Sequence, residues 1–516
     1  MSNQSASPAR DVESLEEKKS ISDATPITHL DASGKNHGAV SSASQTNVTF
    51  DPEAEKRLRR KIDLYILPTV ALCYLWCFID RSNIGNARLA GLEKDLGMNP
   101  KSYQYNILLT VFYVSYAAFE IPSTILTKVL GPGRWIPAMT FSFGLLSMCT
   151  AFVKTYHQAL AVRFLLGIFE AGMLPSIAFY LARWYRKDEL ALRCAMYLVM
   201  SPSAGAFGGL LASGILTIDR IGSVQRWEMI FLIEGIISTA VGIIAFFTLT
   251  DNVQAARWLT PEEKELAIGR VQSELVGQAV VIDKARTRSV IRGITSPTSL
   301  ACATMFFFNN ITVQGIAFFL PSVVRTLYPN KTVVQQQLLT VPPNVAGAFA
   351  VVGMAYASTK FRRRGYFVAA SAGLMVTSYA MYLGSTNLNV RYAASFFGCV
   401  GAFTHGPLLP SWASINTNND SERAGAIGVV VLFGNLGGLV ATWTFLSKYA
   451  PNQVPGNSLN LAGAVIIILL SLSLVAWQRR RNAMARSGKR DHLLLNKTPE
   501  EIEAMGSSHP HFQFRY

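Results

Sequence analysis

The sequence predicts an all-α polytopic membrane protein with twelve transmembrane helices in two six-helix bundles. Three observations lead to this fold class. The 516 residues are 50% hydrophobic and 15% charged, and the mean hydropathy is +0.27. Apolar runs of about 18 to 25 residues recur along the chain, each long enough to cross a bilayer as a helix. A polar stretch in the middle of the chain separates six such runs from six more.

The runs place the predicted spans along the chain. In the first half they lie near residues 63–81, 104–128, 134–153, 157–181, 191–218 and 226–250. In the second half they lie near residues 298–324, 336–359, 366–385, 390–413, 424–447 and 460–478. Small residues and proline are frequent inside them, as in 201–209 and 434–438, and small residues let helices pack closely.

This pattern divides the chain into five segments. We expect a disordered cytoplasmic tail at 1–60, a first bundle at 61–250, a cytoplasmic linker at 251–296, a second bundle at 297–480 and a cytoplasmic tail at 481–516. The linker contains a helix start, because Thr260 is a capping residue, Pro261 suits the first turn, and two acids follow near the positive end of the helix dipole. Two equal halves suggest duplication, an architecture in which a ligand site lies between the bundles near the membrane midplane.

Charge placement predicts topology and argues against nucleic acid as a partner. The formal net charge is +15, but the basic residues cluster beside spans, at 56–61 before the first and at 479–481 after the last. Basic residues in these positions are typical of cytoplasmic flanks. The first 60 residues contain no apolar core of a cleavable signal. We therefore expect a multi-pass protein, in the plasma membrane, with both termini cytoplasmic.

The six cysteines indicate neither disulfides nor a metal site. All of them fall in or beside apolar spans, and Cys73 with Cys77 lacks a second pair of ligands at a suitable spacing. We expect them to be small packing residues. No cofactor and no metal are expected.

Arg163 and Glu170 are opposite charges inside an apolar span. A charged side chain at the bilayer centre costs roughly 2.5 kcal/mol or more, so such residues usually face a partner or an aqueous cavity. Seven residues turn a helix by about 700°, which places both side chains on one face, about 10 Å apart along the axis. They either line one cavity or form a structural ion pair that holds two helices together.

Three segments carry a family resemblance. They are Phe-Ile-Asp-Arg-Ser-Asn-Ile-Gly-Asn-Ala at 78–87, Arg-Phe-Leu-Leu-Gly-Ile-Phe-Glu-Ala-Gly at 163–172 and Trp-Glu-Met-Ile-Phe-Leu-Ile-Glu-Gly at 227–235. Together they resemble the major facilitator superfamily, and in particular the fungal allantoate/nicotinate permeases of its anion:cation symporter branch. The resemblance implies that Asp80, Arg81, Arg163 and Glu170 are the substrate-binding and proton-coupling charges. It also places Arg81 in a cavity and not in the following loop.

Other polar residues in the spans are candidates for the site. Asn310 and Gln314 lie one helical turn apart, and the resemblance implies that this face lines the substrate path. These two residues and Asn435 are either substrate contacts or partners in hydrogen bonds between helices.

Three further titratable residues lie in or near spans. For Glu234 the resemblance favours a structural role, whereas the role of Glu120 stays open. A packing or hydrogen-bonding role is expected for His405.

These observations predict a secondary active transporter that imports a small organic anion by proton symport through alternating access. In this interpretation Arg81 and Arg163 bind the substrate carboxylate, because a guanidinium is a two-pronged donor. Asp80 and Glu170 carry protons. The expected partners are the anion, protons and the lipid bilayer, and we expect a monomer.

Three other classes of function are considered. Drug or metabolite efflux on the same fold is one alternative, and the paired arginines argue against it. A nutrient sensor that binds without transport is another. An enzyme is the least favoured, because no nucleophile and base stand at a convincing spacing. The sequence leaves open which organic anion is bound and whether protons or sodium ions are coupled.

Overall fold

A computed structural model describes residues 51–99, 102–218, 224–273, 287–418, 420–489, 491–494, 498 and 505–516. Regular structure in these ranges is almost entirely helical. Most of the predicted tail at 1–60 lies outside the described residues, as does part of the linker.

The helices of the first half follow in chain order. They are α1 (Pro52–Leu89), α2 (Leu92–Asp95), α3 (Gln104–Leu130), α4 (Pro132–Thr150), α5 (Tyr156–Glu170), α6 (Met173–Ala182), α7 (Lys187–Leu198), α8 (Met200–Ile215) and α9 (Arg226–Thr248).

The linker and the second half add nine more helices. They are α10 (Pro261–Ser273), α11 (Thr287–Thr295), α12 (Pro297–Leu327), α13 (Val333–Leu338), α14 (Val341–Phe361), α15 (Arg364–Gly384), α16 (Leu388–Ile415), α17 (Asp420–Ala441) and α18 (Val454–Arg486). Short 3-10 turns occupy Ser447–Tyr449, Asp491–Leu494 and Gly506–Ser508.

The chain is an all-α polytopic membrane protein, as the sequence predicts. Within the described ranges, ten helical segments are long and apolar enough to cross a membrane. The other two predicted spans, near 134–153 and 390–413, correspond to α4 and α16. α4 has 19 residues, which gives a length of about 28 Å, close to the thickness of a bilayer core.

The first helix is longer than its apolar core. Its N-cap, Asp51, accepts hydrogen bonds from the backbone amides of Glu53 and Ala54 at 3.1 and 3.3 Å, and Pro52 suits the first turn. The predicted span ends at residue 81, but α1 continues to Leu89. Arg81 therefore lies inside the helix and not in the following loop.

The predicted span at 157–181 corresponds to one candidate span, Tyr156–Ala182, but the helix is interrupted within it. The helix ends at Glu170, and Gly172 begins the next helix with a φ of 80°, in the left-handed region that favours glycine. A Cβ at Gly172 would lie 2.6 Å from Oγ of Ser123 on α3. Glycine is thus required at position 172 by both backbone conformation and space, and the break places Glu170 at a helix end.

The two halves contact each other at the end of the molecule where α1 ends and α18 begins. We call this end the distal face. Asn106 Nδ2 on α3 donates to the carbonyl oxygen of Thr442 at 2.6 Å, and the hydroxyls of Thr110 and Thr442 lie 3.0 Å apart. On the neighbouring side, Gly85 of α1 packs on the backbone carbonyl of Phe318 of α12. The halves are therefore in close contact at the distal face.

Charged residues tie the linker to the first half. Lys61 Nζ lies 2.6 Å from Oε2 of Glu263, and the Arg270 side chain pairs with Glu189 at 2.5 Å and with Glu55 at 3.6 Å. Slight burial acts to raise the pKa of Glu263, but hydrogen bonds from Lys61 and Thr260 hold it below the ordinary value of 4.5. α10 begins at Pro261, where the sequence predicts a helix start.

The last described segment, 505–516, packs across the ends of α16 and α18. Asn416 accepts from the backbone amide of Arg515 at 2.8 Å and donates to its carbonyl oxygen at 2.9 Å. Asn482 makes the same two contacts with the backbone of Phe514, both at 2.8 Å. The two side-chain amides therefore satisfy backbone N–H and C=O groups of this segment, as the backbone of a neighbouring strand would do in a sheet.

Candidate functional site

A buried ion pair joins α1 to α5. Arg81 donates from Nε to Oε2 of Glu170 at 2.9 Å, and its Nη2 lies 2.8 Å from the same oxygen. Glu170 is fully buried and Arg81 is 5% exposed. Oε1 of Glu170 has no hydrogen-bond partner among the described residues. The seven-residue spacing does place Arg163 and Glu170 on the buried face of α5, but the partner of Glu170 comes from another helix.

Aromatic rings surround the Arg81 guanidinium. Its central carbon lies 4.9 Å from the ring centroid of Phe78, 5.3 Å from that of Phe112 and 5.0 Å from that of Tyr116. Such rings attract a cation and exclude water from it. Cys77, one turn before Arg81, lies 3.6 Å from Oε2 of Glu170. The charge pair is therefore held in an aromatic enclosure between α1, α3 and α5.

Arg163 is the second buried guanidinium of this half, and it lies close to Phe231 of α9. Its Nε and Nη2 are buried, with no hydrogen-bond partner among the described residues. The nearest aromatic ring, that of Phe231, is 5.7 Å away. Glu170 and Asp80 lie within electrostatic range. Arg163 thus keeps its charge and two donors unpaired inside the bundle, although buried polar groups are usually bonded.

Asp80 faces away from Arg81. Ser147 on α4 donates to its Oδ1 at 2.8 Å, and Oδ2 has no partner within the part of the chain that the structure describes. Asp80 therefore does not pair with Arg81, because consecutive residues on a helix point about 100° apart. Nearby, Asn83 donates to Glu234 of α9, so Glu234 links two helices.

Glu120 and Asn435 connect the two halves. Nδ2 of Asn435 on α17 donates to Oε2 of Glu120 on α3 at 2.5 Å. Glu120 is one turn beyond Tyr116, and the Arg81 charge lies within electrostatic range of its carboxyl group. The predicted candidate Asn435 therefore makes a hydrogen bond between helices in this conformation.

The other candidates are placed in the second half. Asn310 donates from Nδ2 to the carbonyl oxygen of Phe306 on its own helix at 3.0 Å and packs against Gly434 and Gly437 of α17. Gln314 is 5% exposed, and its Oε1 has no partner among the described residues. His405 Nδ1 contacts the carbonyl oxygen of Gly401 at 2.8 Å, which fits the expected packing role.

A cleft lies between the two halves beside the charge pair. It holds about 480 Å³ of space including its open mouth. α1, α8, α12, α14 and α16 all contribute to its wall. Phe78 lines the cleft and also packs on the Arg81 guanidinium, so the ring separates the charge from the cleft.

Sequence reasoning missed several of these neighbours. Cys77 could have been found, because it lies four residues before Arg81 and therefore on the same face of the helix. The aromatic rings of Phe112 and Tyr116 carry no such signal, since apolar and aromatic residues are common throughout the spans. Their role depends on how α3 packs against α1.

The molecule consists of two bundles of membrane-spanning helices, with paired and unpaired charges buried within the spans and a cleft between the bundles. These features are typical of helical membrane transport proteins. Residues 70–442 match the family model described as Major Facilitator Superfamily. The chain belongs to this family.

Similar proteins with curated descriptions are fungal transporters. A "High-affinity nicotinic acid transporter" of Saccharomyces cerevisiae is 32% identical over 90% of this chain and 85% of its own length. The "Major facilitator-type transporter hxnP" of Emericella nidulans is 29% identical over 92% of this chain and 95% of its own. An uncharacterized transporter of Schizosaccharomyces pombe is 33% identical over 84% of this chain and 86% of its own.

Solved structures support the fold. A D-xylose–proton symporter matches with a TM-score of 0.60 over 79% of this chain and 96% of its own, at 14% identity. A bacterial Spinster homologue in an inward-facing and occupied conformation matches with a TM-score of 0.58, at 14% identity. At such identities the likeness concerns the fold alone.

Proposed function

We propose that this protein imports a small organic anion, a monocarboxylate such as a vitamin or ureido acid, by proton symport through alternating access. The observation that carries the proposal is the buried pair of Arg81 and Glu170 with the unpaired Arg163 beside it. Nε and Nη2 of Arg163 have no hydrogen-bond partner among the described residues, and a substrate carboxylate can accept from them. The similarity to a nicotinic acid transporter supports an anion of this kind.

The same pair can couple transport to protons. A proton on Glu170 neutralises the acid, which weakens its bond to Arg81 and frees the guanidinium for the substrate. When the proton leaves, Glu170 recovers Arg81 and the anion is released. Asp80, bonded to Ser147, is the second candidate proton carrier in this scheme, and it acts on Arg163 through space.

The topology that we propose keeps both termini in the cytoplasm and the protein in the plasma membrane as a monomer. With that orientation, the contacts at the distal face lie on the outer side of the membrane. Import then requires these distal contacts to separate in the opposite state of the cycle.

Uptake of labelled monocarboxylates into proteoliposomes under imposed proton or sodium gradients tests the proposal. Arg163→Ala should reduce uptake about 10-fold to 150-fold, the loss of one charge-assisted contact. It should not impair folding, because no described residue bonds to the Nε and Nη2 of Arg163. Arg257→Ala, at an exposed arginine of the linker, is the matched control.

Two further variants separate binding from coupling. Glu170→Gln should retain counterflow exchange but lose accumulation driven by the pH gradient. Arg81→Lys keeps the charge but loses the two-pronged geometry, so binding should weaken while the protein still folds. Wild-type accumulation without any dependence on the proton gradient would contradict proton symport, and normal uptake by Arg163→Ala would contradict the anion site.

A further inference from the structure

A second cavity lies at the distal end of the second half, and we call it the distal cavity. Its described wall belongs entirely to this half, with residues from α12, α15, α16, α18 and the segment between α17 and α18. Ile316 and Leu320 of α12 line both the distal cavity and the cleft between the halves, so α12 separates the two. Thr326, Pro451 and Asn452 of the wall are exposed. The distal cavity therefore opens at the distal surface of the molecule.

Arg391 on α16 supplies the positive charge of this wall. It is 8% exposed. Its Nε donates to the carbonyl oxygen of Ser385 at 2.7 Å, and its Nη2 donates to Oδ1 of Asn452 at 2.7 Å and to the carbonyl oxygen of Tyr382 at 3.4 Å. All three acceptors are neutral, and no described acidic side chain lines the cavity. The guanidinium is thus buried without a countercharge, and the N–H groups of Nη1 have no acceptor in the described ranges.

Three side-chain amides accompany Arg391 in the wall. Asn457 donates from Nδ2 to the carbonyl oxygen of Asn452 at 2.9 Å, which orders the segment before α18. The Oδ1 of Asn452 is used by Arg391, so its Nδ2 remains a donor. Oε1 of Gln453 has no hydrogen-bond partner among the described residues, which leaves this amide free to turn its N–H groups towards a ligand. Such groups can donate to an anion held by the guanidinium.

The remaining wall is mostly apolar, and four aromatic rings contribute to it. The ring centroids of Phe319 and Phe445 are 5.4 Å apart, and those of Tyr379 and Tyr382 are 6.2 Å apart. The lining residues of α12 recur at steps of three or four, which places them on one helix face. They are Gly315, Ile316, Phe319, Leu320, Val323, Thr326 and Leu327. Aromatic walls favour a flat aromatic ligand, because rings pack edge-to-face or in offset stacks.

From these features we propose that the distal cavity is a second anion site, which binds a small monocarboxylate with an aromatic body. The carboxylate accepts from Nη1 of Arg391 and neutralises its charge, while the ring packs among the aromatic side chains. A second negative charge on the ligand would be desolvated without a partner, which is costly. The site shares no residue with the charge pair of Arg81 and Glu170 or with Arg163, so the inference does not depend on the proposed transport.

The test is equilibrium binding of radiolabelled benzoate to the purified protein in detergent, with the number of sites per molecule measured. Arg163→Ala should retain a benzoate site. Benzamide has the same ring but no charge, so it should bind this site at least about tenfold more weakly. Loss of all benzoate binding in Arg163→Ala would overturn the inference. Displacement of benzoate by an equal concentration of inorganic phosphate would do so too, because it would indicate a site for the charge alone.

Substitutions of Arg391 in the Arg163→Ala background separate its charge from its structural bonds. Arg391→Gln should weaken benzoate binding at least about tenfold. Arg391→Lys also loses the guanidinium bonds to Ser385 and Asn452 but keeps the positive charge, so it should bind benzoate more tightly than Arg391→Gln. Equal affinities of the two variants would assign Arg391 a structural role only and overturn the inference.

A substitution that fills the distal cavity leaves Arg391 in place. Val323→Trp on α12 should abolish the benzoate site of the Arg163→Ala protein, because the indole occupies the space between the rings. Val352→Trp on α14, where the valine is 55% exposed, is the matched control and should retain the site. Both variants are compared as monodisperse protein. Equal binding by the two would refute the placement of the ligand in this cavity.

The outcomes separate this inference from the proposed function. If the protein transports no monocarboxylate but binds benzoate and loses this site in Val323→Trp, only the proposed import fails. If monocarboxylates are transported but Val323→Trp binds benzoate as Val352→Trp does, import stands and only the distal site fails.

Discussion

Gly85→Ala should shift the protein away from the distally closed conformation. Gly85 lies on α1, and an added Cβ would be 2.7 Å from the carbonyl oxygen of Phe318 on α12, in the opposite half. The neighbouring atom belongs to the backbone, so no side chain can move aside. The substitution therefore acts on the contact between the halves and leaves the packing within each half intact.

The size of the effect follows from the distance. Carbon–oxygen contacts between helices are usually about 3.3 to 3.6 Å, so the helices must separate by about 0.6 Å or more at this point. Overpacking of this kind costs about 1 to 3 kcal/mol. The helix propensity gained by alanine is the same in both conformations and cancels. The ratio of distally open to closed protein should therefore rise about 5-fold to 150-fold.

Distances between spin labels measure this ratio. Labels on cysteines introduced at Thr217, after α8, and at Thr386, before α16, report on the two halves at the distal face, and both positions are exposed. The exposed Cys149 is replaced by serine in this background. Gly85→Ala should increase the population with the longer distance, measured by double electron–electron resonance.

Gly214→Ala is the matched control for this experiment. Gly214 also lies near the distal end of a helix, α8, but an added Cβ there meets no atom within 4 Å. Its distance distribution should equal that of the wild type. If Gly85→Ala gave the same distribution as Gly214→Ala, the assignment of α1 and α12 as a contact that must open would be refuted.

Three other predictions concern the stability of the purified protein. Asn416→Ala should lower the free energy of unfolding by about 1 to 3 kcal/mol and increase proteolysis of the C-terminal segment, because it leaves backbone groups of that segment unpaired; unchanged proteolysis would contradict this. The Glu263 carboxylate pairs with Lys61 and has a lowered pKa, so the pair stabilises the folded protein above about pH 4.5, and this stability is lost as the pH falls through the pKa of Glu263 in the folded state. Glu263→Gln should therefore reduce the loss of unfolding free energy in acid by up to about 1 kcal/mol, measured by thermal unfolding at several pH values. Gly437→Ala should lower the melting temperature, since its Cβ would collide with the backbone carbonyl oxygen of Phe307 on α12; Gly428→Ala on the same helix, with no atom within 4 Å, should not.

Much of the fold was predictable because it depends on local composition. An apolar run of about 20 residues has few alternatives to a membrane-spanning helix, since its backbone groups must be bonded within the segment. The helix start at Pro261 was predictable for the same local reason. The break after Glu170 was not, because glycine is common in membrane helices and only the structure shows that Gly172 adopts a left-handed φ between two helices.

The charged residues of the site were predictable from the sequence, but the partners to which they bond were not. Arg81, Arg163 and Glu170 stand out, since a charge within an apolar run is costly wherever it lies. Their partners depend on which helices are neighbours and how each is rotated. Glu120 shows this most clearly, because its hydrogen-bond partner, Asn435, is distant in sequence and belongs to the other half.

The sequence by itself determined that this chain crosses a membrane many times in two equal halves, and that a few ionisable groups are buried there. Hydropathy and helical periodicity depend on residues that are close together in the sequence, so they can be recognised without the structure. Only the tertiary structure decided that Arg81 and not Arg163 holds Glu170, that Asp80 rests on Ser147, and that a cleft lies behind Phe78. These features arise where separate helices meet, and packing across long sequence distances has no local signature.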